Sequence, residues 1–174
     1  MRRAVYTRIY MFLLRVIDAF NKEGVRYAVA GGYALSLHGV VRGTVDIDFV
    51  IPLTEIDFVA TERALKSIGL EPKLPVDARQ VFTFREEYIQ NKNLIAWSFY
   101  NPKFPSEIVD IIITCDLHDM NPVSINISGR QVNIISTEDL VAMKKKSARP
   151  QDIEDVKALL YIRPSKKSTG KESK

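Results

Sequence analysis

One cysteine and two histidines among 174 residues leave little material for several kinds of chemistry. A lone Cys115 excludes an internal disulfide and a cysteine-based zinc site. His38 and His118 cannot by themselves furnish a histidine metal site or a catalytic triad. No apolar run reaches the roughly 18–20 residues of a membrane span. The longest candidate, Ile9 to Phe20, follows two arginines as a secretory signal would, yet no small-residue cleavage pattern comes after it. Its apolar positions Ile9, Phe12, Leu13, Val16, Ile17 and Phe20 recur at helical spacing, so it reads as an amphipathic packing helix. With no targeting segment and no span, a cytoplasmic location without membrane contact is the expectation.

Charge of one sign is scarce too. The net charge is +4, of which the last eleven residues, with four lysines and one glutamate, supply +3. The other 163 residues are almost neutral, so the basic balance describes a tail and does not argue for nucleic-acid binding. That tail, Pro164 to Lys174, has no apolar side chain and is expected to be disordered. What remains, residues 1–163, is long enough for one domain with a real core, and contains no repeat and no linker.

What is present reads as a mixed α/β domain. A helix from about Tyr6 to Glu23 ends at Gly24, and Val25 to Ala30 is a short strand. Gly31-Gly32 opens a turn, Tyr33 to Leu37 is a short helix, and Val45 to Ile51 alternates with period two. Thr54 and Asp57 cap a helix ending near Ile68-Gly69. The region from Ile56 to Phe104 carries no motif; within it Gln80 to Phe84, a charged helical turn and Leu94 to Tyr100 follow a proline-containing loop. On that last segment Ile95, Trp97 and Phe99 share one face and read as core. Glu107 to Thr114 is a strand, and Val123 to Ile127 with Gln131 to Ile135 flank a hairpin turn. Ser136 and Asp139 cap a helix to about Ser147, and Pro150 opens a last helix to about Tyr161. The hairpin signals argue against a doubly wound parallel sheet.

In VDIDFVI, Val45, Ile47, Phe49 and Ile51 share a core face while Asp46 and Asp48 share the other. Two carboxylates so close repel unless a cation lies between them, and magnesium takes such oxygen ligands while keeping positions for phosphate oxygens. A lone D-x-D pair is more often a solvated sheet face. Asp110, in the otherwise apolar EIVDIIIT, offers a third carboxylate that needs a cation partner, since an unpaired buried one is costly; an arginine could also serve. Gly31-Gly32, between a strand and a helix, lets a phosphate approach bare backbone. Spacing from Gly32 to Asp46 returns the chain to the same end of the sheet.

The order Gly31-Gly32, His38-Gly39, Arg42-x-Thr44, Asp46-Ile47-Asp48 resembles the nucleotidyltransferase superfamily of the DNA polymerase β type. Within it, YAVAGGYALSLHGVVRGTVDIDFVI is most similar to small bacterial abortive-infection toxins (the AbiEii-like group). EDLVAMKKKSARPQDIEDVKAL is similar to that group's lysine motif and Arg-x-x-Asp-x-x-Asp segment, here Lys144, then Arg149, Asp152 and Asp155. The resemblance implies a nucleotidyltransferase fold, a mixed sheet flanked by helices. It implies Mg²⁺, up to two ions, at Asp46, Asp48 and Asp110 as metal and catalytic residues. It implies NTP at Gly31, Gly32, Arg42, Thr44 and Lys144, and as acceptor a tRNA 3′ end, other RNA or a protein hydroxyl, with an antitoxin as partner. Small-molecule transfer of the antibiotic-modifying kind, and a non-catalytic nucleotide-binding module, stand as alternatives.

On a helix the lysines of the Lys144–Lys146 run cannot all meet one ligand; the resemblance places the motif lysine at Lys144, while Lys145 and Lys146 read as solvated. Arg149, Asp152 and Asp155 read as helix-start residues, Asp152 by its place after Pro150. Tyr33 and His38 read as local packing residues. Deleting residues 164–174 should leave the melting temperature within about a degree of the full chain, because the segment offers nothing to bury; a loss of several degrees in a thermal melt would show that it docks.

Overall fold

A computed structural model describes residues 2–162, with side chains from Tyr10 onward, so the Pro164–Lys174 segment lies outside the described residues. The elements are α1 (Arg2–Glu23), β1 (Ala28–Val29), α2 (Gly31–Leu37), β2 (Asp46–Val50), α3 (Glu55–Ser67), β3 (Glu71–Pro72), α4 (Ala78–Thr83), α5 (Arg85–Lys92), β4 (Ala96–Asn101), β5 (Phe104–Ile112), a 3₁₀ turn (Leu117–Asp119), β6 (Val123–Ile127), β7 (Arg130–Ile134), α6 (Thr137–Ser147) and α7 (Pro150–Ile162). The strands form one mixed sheet in the order β3-β4-β5-β2-β1-β7-β6. β2 runs parallel to β5 and β1 parallel to β7, while the other neighbours are antiparallel. No described helix is long and apolar enough to cross a membrane.

Period-two alternation divides the sheet into two unequal faces. Ile47, Phe49, Trp97, Phe99, Val109 and Ile111 are fully buried and pack with Leu13, Ile17 and Phe20 of α1 and Phe58 and Leu65 of α3 in the larger core. The opposite face carries a smaller cluster, in which Ala34 and Leu35 of α2, Leu140 of α6 and Leu159 of α7 cover Ala28, Ala30, Val50 and Ile135. Beyond that cover, the even-numbered face of β2, β5 and β4 borders an open cleft of about 1160 Å³.

The caps fall where the sequence places them: Thr54 Oγ1 accepts from the Asp57 amide, and Ser136 Oγ from the Asp139 amide. Several boundaries differ. β1 is only two residues long, and Gly31-Gly32 begin α2 instead of preceding it. Asp77 makes a capping box with Gln80, drawing Gln80 into α4. Ile95 is not core but 51% exposed. Left-handed Asn93 ends α5 and the strand starts only at Ala96, so the alternation that buries Trp97 and Phe99 does not reach back to it.

Candidate active site

Parallel pairing sets Asp48 of β2 beside Asp110 of β5, with Asp46 two residues back on the same face. One carboxylate oxygen from each of the three lies within 4.8 Å of the others. Asp110 Oδ1 is buried without a hydrogen-bond partner. Burial first, then the charges of Asp46 and Asp110, push the Asp48 carboxyl from its ordinary 3.8 up to about 7; Lys144 and the Gly32 amide oppose this. Three close carboxylates with a buried oxygen left unpartnered, and no sulfur or imidazole among them, suit a hard divalent cation. The residues present therefore fit the metal that the resemblance implies.

The two glycines act first on the protein's own side chains. Gly31 has φ +57°, and a Cβ there would fall 1.8 Å from Asp48 Oδ2. A Cβ on Gly32 would fall 2.7 Å from that of Thr44. Missing side chains thus let the start of α2 close onto β2: the Ala30 amide donates to the Asp48 carbonyl at 2.8 Å, and the Gly32 amide bonds the Asp48 carboxylate. Thr44 Oγ1 donates to Asp46 Oδ1 at 2.8 Å, which fixes that carboxylate. Read as nucleotide contacts in the sequence, Gly31, Gly32 and Thr44 are packed so as to position the acidic pair.

Lys144 and Arg42 line the same cleft but meet α7. Buried Lys144 Nζ lies 2.9 Å from Asp152 Oδ1 and 2.7 Å from Asp155 Oδ2, and Arg42 Nη1 lies 3.4 Å from Asp155 Oδ1. Burial alone would raise the Asp152 carboxyl, but bonds from Ser147 and Lys144 outweigh it and hold it below its ordinary value. Asp152 also accepts from the Arg149 amide, as a helix-start residue does, so it serves both the cap and Lys144. The sequence reading missed that Asp152 and Asp155 hold the motif lysine; a chain reversal at left-handed Ala148 hides the pairing from helical periodicity. Lys146, read as solvated, is exposed and also lines the cleft. His38 donates through Nε2 to the Ile135 carbonyl at 2.8 Å, and Tyr33 is buried in the larger core, both as packing residues.

A mixed sheet with three convergent aspartates facing a glycine-backed cleft defines a nucleotidyltransferase-type site. The chain belongs to the family described as nucleotidyl transferase of unknown function (DUF2204), whose model matches residues 10–170. It is a nucleotidyltransferase. No curated protein matches it. Among solved structures, the antibiotic-resistance factor ANT(2'')-Ia in solution is similar over 90% of this chain and 84% of its own, with 15% identity and a TM-score of 0.61. The lincosamide antibiotic adenylyltransferase LnuA, lincomycin-bound, is similar over 87% and 96%, with 18% identity and a TM-score of 0.58. The protein TM1012 from Thermotoga maritima is similar over 92% and 96%, with 18% identity and a TM-score of 0.57. At such identities these likenesses establish the shared fold.

Asp48 gives the site a pH signature. Its folded pKa of about 7 lies above the ordinary 3.8. The stability that goes with its protonated form is complete below the lower value and lost as pH rises through the upper one. In chelator, Asp48→Asn should therefore gain in melting temperature over wild type at about pH 8, with the gain shrinking towards about pH 5. A gain that is flat or reversed with pH would show that the carboxylates do not burden one another.

Proposed function

We propose that this protein transfers a nucleoside monophosphate from an NTP to an acceptor hydroxyl, with Mg²⁺ held by Asp46, Asp48 and Asp110 and pyrophosphate leaving. The observation that carries this reading is the convergence of those three carboxylates in the lining of an open cleft. Divalent cations bound there would neutralise triphosphate charge and make the acceptor hydroxyl a better nucleophile. Asp48 and Asp46 supply the ligand pair, the second oriented by Thr44. Asp110, whose Oδ1 has no hydrogen-bond partner, would take the proton of the attacking hydroxyl. Arg42 and Lys144, fixed by Asp155 and Asp152, would add positive charge beside the triphosphate, and Gly31 and Gly32 let the start of α2 close onto Asp48 and Thr44.

The similarity of Glu138–Leu159 to the abortive-infection toxins supports a toxin role, with RNA or protein as acceptor and an antitoxin as partner. The antibiotic adenylyltransferases among the fold's relatives support a small-molecule acceptor instead. Both readings share the nucleotide chemistry, which can be tested before the acceptor is known. Saturating Mg-NTP, at about 100 times its dissociation constant, should raise the melting temperature by roughly 5–10 °C. Asp48→Asn and Asp110→Asn should lose most of that rise, and transfer of label from the α-phosphate should fall on the order of 100-fold or more. An Asp48→Asn protein that responds to Mg-NTP just as wild type does would sink the proposal.

A further inference from the structure

The three carboxylates of the site are not equally supported. Thr44 Oγ1 donates to Asp46 and the Gly32 amide bonds Asp48, but Asp110 Oδ1 is buried without a partner. An acceptor shut off from water in this way calls for a donor from the protein. On its face of the sheet Asp110 has Asp48 beside it on β2, Ile108 and Ile112 along β5, and Ala96, Ser98 and Tyr100 on β4. The aspartates of β2 accept and do not donate once a cation keeps them ionised. Lys144, the buried cation of α6, is taken by Asp152 and Asp155. Two hydroxyls remain on this face, and Tyr100 stands one step away, opposite Ile108. Ser98 is the residue directly opposite Asp110.

Backbone geometry brings these two side chains close. The Ser98 carbonyl accepts from the Lys73 amide at 2.8 Å, on the β3 side of its strand, whereas the Ile95 carbonyl accepts from the Ile113 amide on the β5 side. N–H and C=O of one residue point the same way in an antiparallel strand. Ser98 and Asp110 are therefore a pair without mutual backbone bonds, the kind whose Cα atoms lie about 4.5 Å apart and whose side chains stand closer. Ser98 is half-buried, lines the cleft, and its hydroxyl has no hydrogen bond among the described residues. The two groups are not bonded to each other in this structure; a turn of Ser98 between staggered positions joins them without moving the backbone. We propose that Ser98 is a positioning residue for Asp110, its hydroxyl donating to the carboxylate and orienting it as Thr44 orients Asp46. The inference rests on the metal-nucleotide reading above and adds a residue to it. An ionised carboxylate offers about four lone-pair positions. One bond from Ser98 thus leaves Asp110 free for a cation and for the proton of the attacking hydroxyl.

An isosteric pair of variants tests this, with Mn²⁺ titrated into the nucleotide-free full chain and the free ion followed by electron spin resonance. Ser98→Thr keeps a hydroxyl and should bind Mn²⁺ within about threefold of wild type. Ser98→Val has nearly the same shape without the hydroxyl and should bind at least about tenfold more weakly, the usual cost of losing a group that orients a metal ligand. Ser98→Ala should match Ser98→Val, which guards against a variant that merely packs badly, and melting in chelator checks that each fold is intact. In crystals grown with Mn²⁺, Ser98 Oγ should lie within about 3 Å of an Asp110 carboxylate oxygen. Val and Ala variants that bind as wild type does overturn the inference. So does a Thr variant as weak as Val, or a Ser98 hydroxyl turned away from Asp110 in the metal-bound crystal. Wild type that takes up no Mn²⁺ is a different result: it removes the metal reading itself, and this inference falls with it.

Discussion

Mutual repulsion of Asp46, Asp48 and Asp110 is the constraint around which this end of the molecule is built. Parallel pairing of two apolar strands fixes the three side chains on one face, and the larger core under that sheet leaves them no freedom to splay apart. Repulsion shows in Asp48, whose carboxyl is pushed up to about 7 by burial and by its two neighbours. Everything nearest to it either tightens the arrangement or offsets its charge. Gly31 gives Asp48 the space a Cβ would take, the Gly32 amide bonds it, and Thr44 fixes Asp46. A cation held among the three carboxylates would relieve that repulsion.

The α6–α7 hairpin supplies the compensating charge from outside the sheet. Lys144 is held by two aspartates, which makes it a fixed cation near Asp48 and not a free arm sweeping the cleft. Arg42, from the segment between α2 and β2, shares Asp155 at a longer distance. Breaking one partner of such a buried set leaves the other charges uncompensated, so the lysine, Asp152 and Asp155 stand or fall together. The hairpin thereby links a helix pair with no strand of its own to the chemistry at the sheet.

Much of this was legible in the residues, for local reasons. Period two in VDIDFVI and EIVDIIIT separated the acidic from the apolar face, and side-chain caps at Thr54 and Ser136 marked helix starts where the structure has them. The same acidic positions, with the glycine pair, carried the resemblance to nucleotidyltransferases that the family match bears out. What failed to show depended on distance in three dimensions. The Lys144–Asp155 contact crosses a chain reversal, the glycines' closeness to Asp48 and Thr44 is a tertiary fit, and the exposure of Ile95 follows from where β4 begins. Periodicity carries none of that information, since each depends on how separate elements meet.

The most direct test of the central claim is crystallographic: soak or grow crystals with Mn²⁺ and a non-hydrolysable NTP analogue, and compute the anomalous difference map. The account expects a manganese peak between Asp46, Asp48 and Asp110, within about 2.2 Å of their carboxylate oxygens, with the analogue's phosphates on the side of Arg42 and Lys144. Ordered analogue with no metal at the triad, or metal bound elsewhere with the three carboxylates left uncoordinated, would contradict it.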